Sequence, residues 1–224
     1  MLMQQLADYA INEQTAKLPA EVIHHAKRAV IDWYAALLPG SIVAPATLLE
    51  QAFADDLDRG KARLARGRRA TVRTAALING AASHSVEFDD IYRDAGYHPG
   101  SPIIAAALAA AQATGASGEL FLRGVVVGYE ISTRIGESVM PSHYKYWHTT
   151  GTIGSFGTAA AVATIFKLNA TQIAHALATV ATMAAGLQQA YRMQAMSKPL
   201  HSGHAAEVGA LAAMAAAKGM TGAT

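Results

Sequence analysis

The sequence predicts an all-α fold, a multi-helix bundle-like domain, and three observations carry that expectation. Alanine fills long stretches such as 103–113 and 205–217, and alanine at that density favours closely packed helices. Apolar residues recur at helical spacing, as in Val22, Ala26, Val30, Trp33 and Leu37. No alternating apolar pattern of useful length occurs, so a sheet is not expected.

Each element follows from local signals. Pro19 suits the first turn of a helix that Pro39-Gly40 stops. A second helix is expected over 45–58, ended by Arg59-Gly60, and a third over 71–88. Asp94, Gly96, Pro99 and Gly100 mark 89–100 as a loop, after which Ser101 and Pro102 read as N-cap and first position of an alanine-rich helix ending at Thr114-Gly115. The next helix covers 119–139, where Gly124 and Gly128 lie one turn apart and permit a close crossing by a neighbour. Residues 141–151 form an irregular segment rich in His and Tyr, and a small-residue helix follows Gly154. Asn169 with Gln172 gives a capping box for a helix running to Ala185, and a third irregular stretch, 188–203, precedes the closing alanine helix. With neither a Pro/Ser-rich linker nor a fixed-period repeat, residues 1–224 read as a single domain.

Composition excludes several classes. A chain of 224 residues can bury a core without staples, and the absence of cysteine removes disulfides, a thiol nucleophile and a cysteine zinc site. Mean hydropathy is slightly positive, yet no window of 18 strongly apolar residues occurs, and residues 1–10 carry no secretory pattern, so a cytoplasmic protein without a membrane partner is expected. A net charge of +2, with Arg63–Arg73 as the one basic cluster and no interleaved aromatics, argues against nucleic acid. From Ser138 to Ala206 there is no Asp or Glu, while Lys145, Lys167, Arg192, Lys198 and five histidines fall there. Such a segment lining a cleft would attract an anion.

Three loops collect the chemistry. In the first, Asp89 and Asp90 precede His98; a carboxylate beside an imidazole fixes its tautomer and raises its basicity, with the alternative that the pair caps a helix and His98 is a loop residue. In the second, His143-Tyr144-Lys145-Tyr146-Trp147-His148-Thr149-Thr150-Gly151 leads into a helix whose free N–H groups would favour a carboxylate, with aromatic packing on the core as the alternative. In the third, Lys198 precedes His201 and His204 at another expected helix start, where a lysine can bind a carboxylate or move a proton. No third ligand stands at short spacing from the two histidines, so no metal site is expected.

These loops, in this order, resemble the MmgE/PrpD family of 2-methylcitrate dehydratases, cis-aconitate decarboxylases and iminodisuccinate epimerases. The resemblance rests on Ala75-Ala76-Leu77-Ile78-Asn79-Gly80, Glu87-Phe88-Asp89-Asp90, His98-Pro99-Gly100, His148-Thr149-Thr150-Gly151 and Lys198-Pro199-Leu200-His201-Ser202-Gly203, together with an opening helix over Val30–Gly40. It implies the helical N-terminal domain of that family, with the α+β lid absent from this chain, and a pocket that works without metal or organic cofactor. It further implies catalytic roles for Asp90, His98, His148 and Lys198, and substrate contacts from Asp89, Lys145, Thr149 and His201. Chains of the family are about twice this long, so this one is expected to be a fragment, a truncated product, or one subunit whose lid is a separate chain.

The function expected from the residues and the resemblance is a cofactor-free hydro-lyase acting on a small hydroxy-tricarboxylate such as 2-methylcitrate. Decarboxylation or epimerisation of a related polycarboxylate is the close alternative. A catalytically silent helical dimerisation or partner subunit is the alternative of another class. A homodimer joined through alanine-rich helices is the expected assembly, as it is for the family.

Overall fold

A computed structural model describes residues 2–224. Its helices are α1 (Leu2–Thr15), α2 (Ala20–Gly40), α3 (Ala46–Ala52), α4 (Val72–Ser83), α5 (Gly100–Thr114), α6 (Gly118–Val139), α7 (Thr149–Ile165), α8 (Ala170–Met183), the short α9 (Gln189–Arg192) and α10 (Ser197–Ala216). Between α3 and α4 runs a two-stranded antiparallel ribbon, β1 (Leu57–Arg63) and β2 (Arg69–Ala70). The fold is the all-α class expected, and among the described residues no helix is long and apolar enough to cross a membrane.

The capping chemistry explains several boundaries. Thr71 and Ser117 cap α4 and α6 by accepting the backbone N–H of Thr74 and Leu120, and Asn169 with Gln172 closes both halves of a capping box on α8. Gly115, in the left-handed region, ends α5.

At the centre lies α7, packed against α5, α6, α8 and α10, and buried along all of its length but Phe156. A helix apolar all round belongs in a core. Alanine and glycine let backbones approach. A Cβ on Gly128 would meet the Gly157 carbonyl oxygen at 2.7 Å, and one on Gly203 of α10 would meet the Leu77 carbonyl oxygen of α4 at 2.4 Å. The close crossing expected at Gly124 and Gly128 is therefore the α6–α7 contact.

Several expected boundaries differ in the structure: the helix expected over 71–88 ends at Ser83, and the one expected after Gly154 begins at Thr149. The sheet that the sequence does not predict is the ribbon, where positive-φ Gly60 and a register shift between Leu57 and Ala62 break the alternation that marks a strand. The helix expected over 45–58 stops at Ala52, and Asp58 itself has positive φ. The closing helix begins at Ser197, so Lys198 and His201 sit on α10 and not ahead of it. Finally, the alanine faces are used up inside the chain, with Ala159–Ala163 and Ala205, Ala206, Ala210, Ala212 and Ala213 all buried. Exposed apolar side chains lie instead along α2, at Ile31, Tyr34 and Leu38, and just beyond it at Ile42.

Candidate active site

Four connections meet at one end of the bundle: the loop 84–99 between α4 and α5, the segment before α7, the turn 184–188, and the first turns of α10. They bring four imidazoles, a carboxylate and a lysine together.

Asp89 is the hub. Its buried Oδ2 accepts from His84 Nδ1 at 2.9 Å and from the Ser101 hydroxyl, and it lies 3.5 Å from His98 Nδ1. His98 Nδ1 also lies 3.3 Å from the Asp89 carbonyl oxygen. Burial alone would raise the Asp89 pKa, but the bonds and charges of the two histidines outweigh it and hold the carboxyl well below its usual range. An ionised Asp89 cannot donate, so the proton of this bond is carried by His84 Nδ1. His84 Nε2 and Asp89 Oδ1 are both buried without a hydrogen-bond partner.

Asp90 points elsewhere. Its carboxylate accepts from the Gly100 N–H and from the Tyr129 hydroxyl, each at 2.9 Å, while its own N–H donates to Asp32 Oδ2 at 3.0 Å. Burial pushes its pKa up to about 6, against the two bonds and with help from the charges of Asp89 and Asp32. Burial and Asp90 keep the Tyr129 hydroxyl protonated as donor. Asp90 therefore staples the loop to α2, α5 and α6. Of the two carboxylates, Asp89 makes the contact that orients an imidazole, while Asp90, to which the resemblance gives a catalytic role, turns to the opposite side.

His148, the residue before α7, is nearly fully buried, and its backbone N–H donates to the Gly186 carbonyl at 2.9 Å. Its Nδ1 stands 3.2 Å from Nδ1 of His201, so one of the two must carry a proton and the other must not. Burial, reinforced by His84, His201, Lys198 and His98, pushes the His148 pKa down to about 2, so this ring is neutral near pH 7. His201 is lowered by burial and by His204. For His98, burial acts downward but the Asp89 bond and charge win, and its pKa is raised. The rings of His84 and His98 meet edge to face at 4.9 Å, and those of His84 and His148 stack at 5.5 Å.

Lys198, buried in the first turn of α10, pairs through Nζ with both oxygens of Glu87 and lies 5.3 Å over the Tyr191 ring. A cavity of ≈ 370 Å³ opens beside it, and one of ≈ 740 Å³ beside His201 and Gly186. Two residues expected to touch substrate are placed otherwise. The Thr149 hydroxyl is buried and donates to the Gly96 carbonyl at 2.5 Å, holding the first loop, and Lys145 is exposed over the ring of Tyr146. Thr150 supports the site indirectly, its hydroxyl accepting the His98 backbone N–H at 3.3 Å.

The sequence alone assigns no site role to His84 or to Glu87. His84 follows the last turn of α4 as its C-cap and belongs to no spacing motif of its own, its one sequence signal being its place five residues before Asp89. His84, Asp89 and His98 present possible metal ligand atoms within 4.8 Å of one another. Their Nδ1 protons are already directed at Asp89, so a cation at those atoms would have to displace them. His201 and His204 do not share such a cluster among the described residues.

A sequence profile of the MmgE/PrpD N-terminal domain matches residues 4–224. The chain belongs to the MmgE/PrpD family. Among its relatives are a cis-aconitate decarboxylase-like protein of Aspergillus oryzae, 28% identical over 97% of this chain and 47% of its own length, and the cis-aconitate decarboxylase of Homo sapiens, 33% identical over 66% and 31%. The cis-aconitate decarboxylase of Aspergillus terreus is 26% identical over 95% of this chain and 45% of its length. This MmgE/PrpD domain thus spans less than half the length of the relatives it matches.

Proposed function

We propose that this MmgE/PrpD domain carries the proton-handling part of a lyase site for a small tricarboxylate. The observation that supports this most directly is the divergence of two imidazoles in one cluster: Asp89 raises the pKa of His98, while burial among cations holds His148 neutral. Pairs of groups driven apart in this way serve as acid and base. His98 is the proton donor of the reading and His148 the acceptor, with Asp89 fixing the His98 tautomer and Lys198 holding a substrate carboxylate.

The same set suits two reactions. In decarboxylation, a carbon–carbon bond to a carboxylate breaks, CO2 departs, and the electron pair left behind takes a proton at carbon from His98. In dehydration, His148 removes a proton beside a carboxylate and His98 protonates the departing hydroxyl. In both, Lys198 and the imidazolium offset charge that grows on the remaining carboxylates. The names of the relatives favour cis-aconitate decarboxylation, with 2-methylcitrate dehydration as the second reaction.

Incubation with each acid in D2O, followed by NMR, separates them. Release of CO2 with one solvent deuteron at carbon marks the first, and loss of water to an unsaturated acid marks the second. Neither product from either acid, by the chain alone or supplied with the second half of a relative, would sink the reading.

A further inference from the structure

The Lys198–Glu87 pair is lopsided. The lysine side chain is 10% exposed and anchored on α10, whereas the glutamate side chain is 52% exposed and sits on the first loop at a positive φ of 60°. Glu87 is the one carboxylate in ion-pair range of Nζ among the described residues, and it engages it with both oxygens. It stands two residues before Asp89 and lines, with Ser85, Tyr191 and Lys198, the cavity of ≈ 370 Å³. Lys198 stands three residues before His201 on α10, one turn away on the same side of the helix, and His201 meets His148, so this cation stands beside the imidazoles. We propose that Glu87 is an internal stand-in for a ligand carboxylate: it neutralises Lys198 in the empty pocket, swings outward when a carboxylate enters, and so sets a threshold that single carboxylates do not pass.

The physics follows from burial. A buried ammonium without a counter-ion is strongly unfavourable, and Glu87 removes that penalty before any ligand arrives. An incoming carboxylate therefore gains only the difference between its own contact and that of Glu87. For a monocarboxylate this difference is near zero, and the loss of free motion on association dominates. A di- or tricarboxylate brings further charges for His98 and His201. Glu87 can leave readily, since half of its side chain already meets water and its left-handed backbone relaxes once the loop moves. The Arg66–Glu50 pair makes the contrast, because there the glutamate is the shielded partner at 10% exposure and the cation is the one that meets water, at 51%.

The inference rests on the proposed function only for the ligand class, carboxylates. Calorimetric titration of the chain with acetate, succinate and tricarballylate tests it, comparing wild type with Glu87→Gln and Glu87→Ala. Both variants should bind succinate and tricarballylate about five- to tenfold more tightly than wild type, by the same factor for each, since each displaces the same group. Adding Lys198→Met should abolish that gain. Equal or weaker binding in both variants overturns the proposal and makes Glu87 a strut that orients the lysine; so does a gain that survives Lys198→Met, and so does the absence of binding to every protein. Turnover distinguishes the two readings. Tighter binding without lyase product leaves the stand-in and removes the lyase, whereas lyase product with no gain in the variants does the reverse.

Discussion

Two buried regions of this domain are held together by opposite means. The seam where α4, α6, α7 and α10 cross is built from alanine and glycine, and its order comes from shape, with backbone on backbone at distances that leave no room for a side chain. The histidine pocket at the end of the same helices is built from loops, and its order comes from hydrogen bonds around Asp89 and Asp90. A misfit in the seam raises the energy of the whole fold, while a lost partner in the pocket leaves a polar group stranded and moves the pKa values of its neighbours. The seam therefore governs stability and the pocket governs chemistry, which is a separation that mutation can break.

The largest expected effect is in the pocket. Asp89→Asn should lower turnover by roughly 10²- to 10⁴-fold, since the imidazoles lose the carboxylate that fixes their tautomers. The measurement is kcat on whichever acid is turned over, beside a melting curve. A loss smaller than tenfold would end the hub assignment of Asp89.

In the seam, Gly203→Ala places a methyl group 2.4 Å from the Leu77 carbonyl oxygen, a backbone atom that cannot rotate away. Denaturant unfolding should show a loss of about 3 kcal/mol. An unchanged midpoint would mean that α4 and α10 separate freely and that the seam is not shape-locked.

Titration sharpens the comparison, because two pocket groups pull stability in opposite directions. The unfolded chain protonates His148 near pH 6.5, whereas the folded chain holds that pKa at about 2, so this group withdraws stability as pH falls below 6.5. Asp90, raised from 3.8 to about 6, binds its proton first in the folded chain and adds stability as pH falls through 6 toward 3.8. Relative to wild type, stability measured between pH 7 and pH 5 should fall further in Asp90→Asn and rise in His148→Gln, each by on the order of 1 kcal/mol. The same slope in all three proteins would refute both shifts.

The smallest effects mark the edge of the pocket. Tyr129→Phe removes one donor from Asp90 and should lower stability by about 1 kcal/mol, with turnover kept within tenfold. Lys145→Ala should change turnover less than twofold, because the side chain is exposed and lies over Tyr146. On the outer surface, a homodimer through the apolar stripe of α2 is our proposal for assembly, supported by Ile31 at 69%, Leu38 at 56% and Ile42 at 66% exposure. Light scattering should then show twice 23.4 kDa for wild type and a monomer for Leu38→Glu.

The sequence by itself determined the all-α class, the helix over Val22–Leu37, the capping box at Asn169 and the three loops where the unusual polar residues gather, because these depend on spacing and on residues near one another in the chain. It also supplied His98, His148, His201 and Lys198 as members of one set, through the resemblance of their motifs. It could not order Asp89 against Asp90, since which of two neighbouring carboxylates turns toward the imidazoles depends on Gly100, Tyr129 and Asp32, which lie on three different helices. Nor could it bring in His84 from the end of α4, or pair Glu87 with a lysine 111 residues away. Those were decided by the tertiary structure, because a pKa or an ion pair is fixed by what stands within a few ångströms in space, and only the packing of α4 against α10 sets those distances.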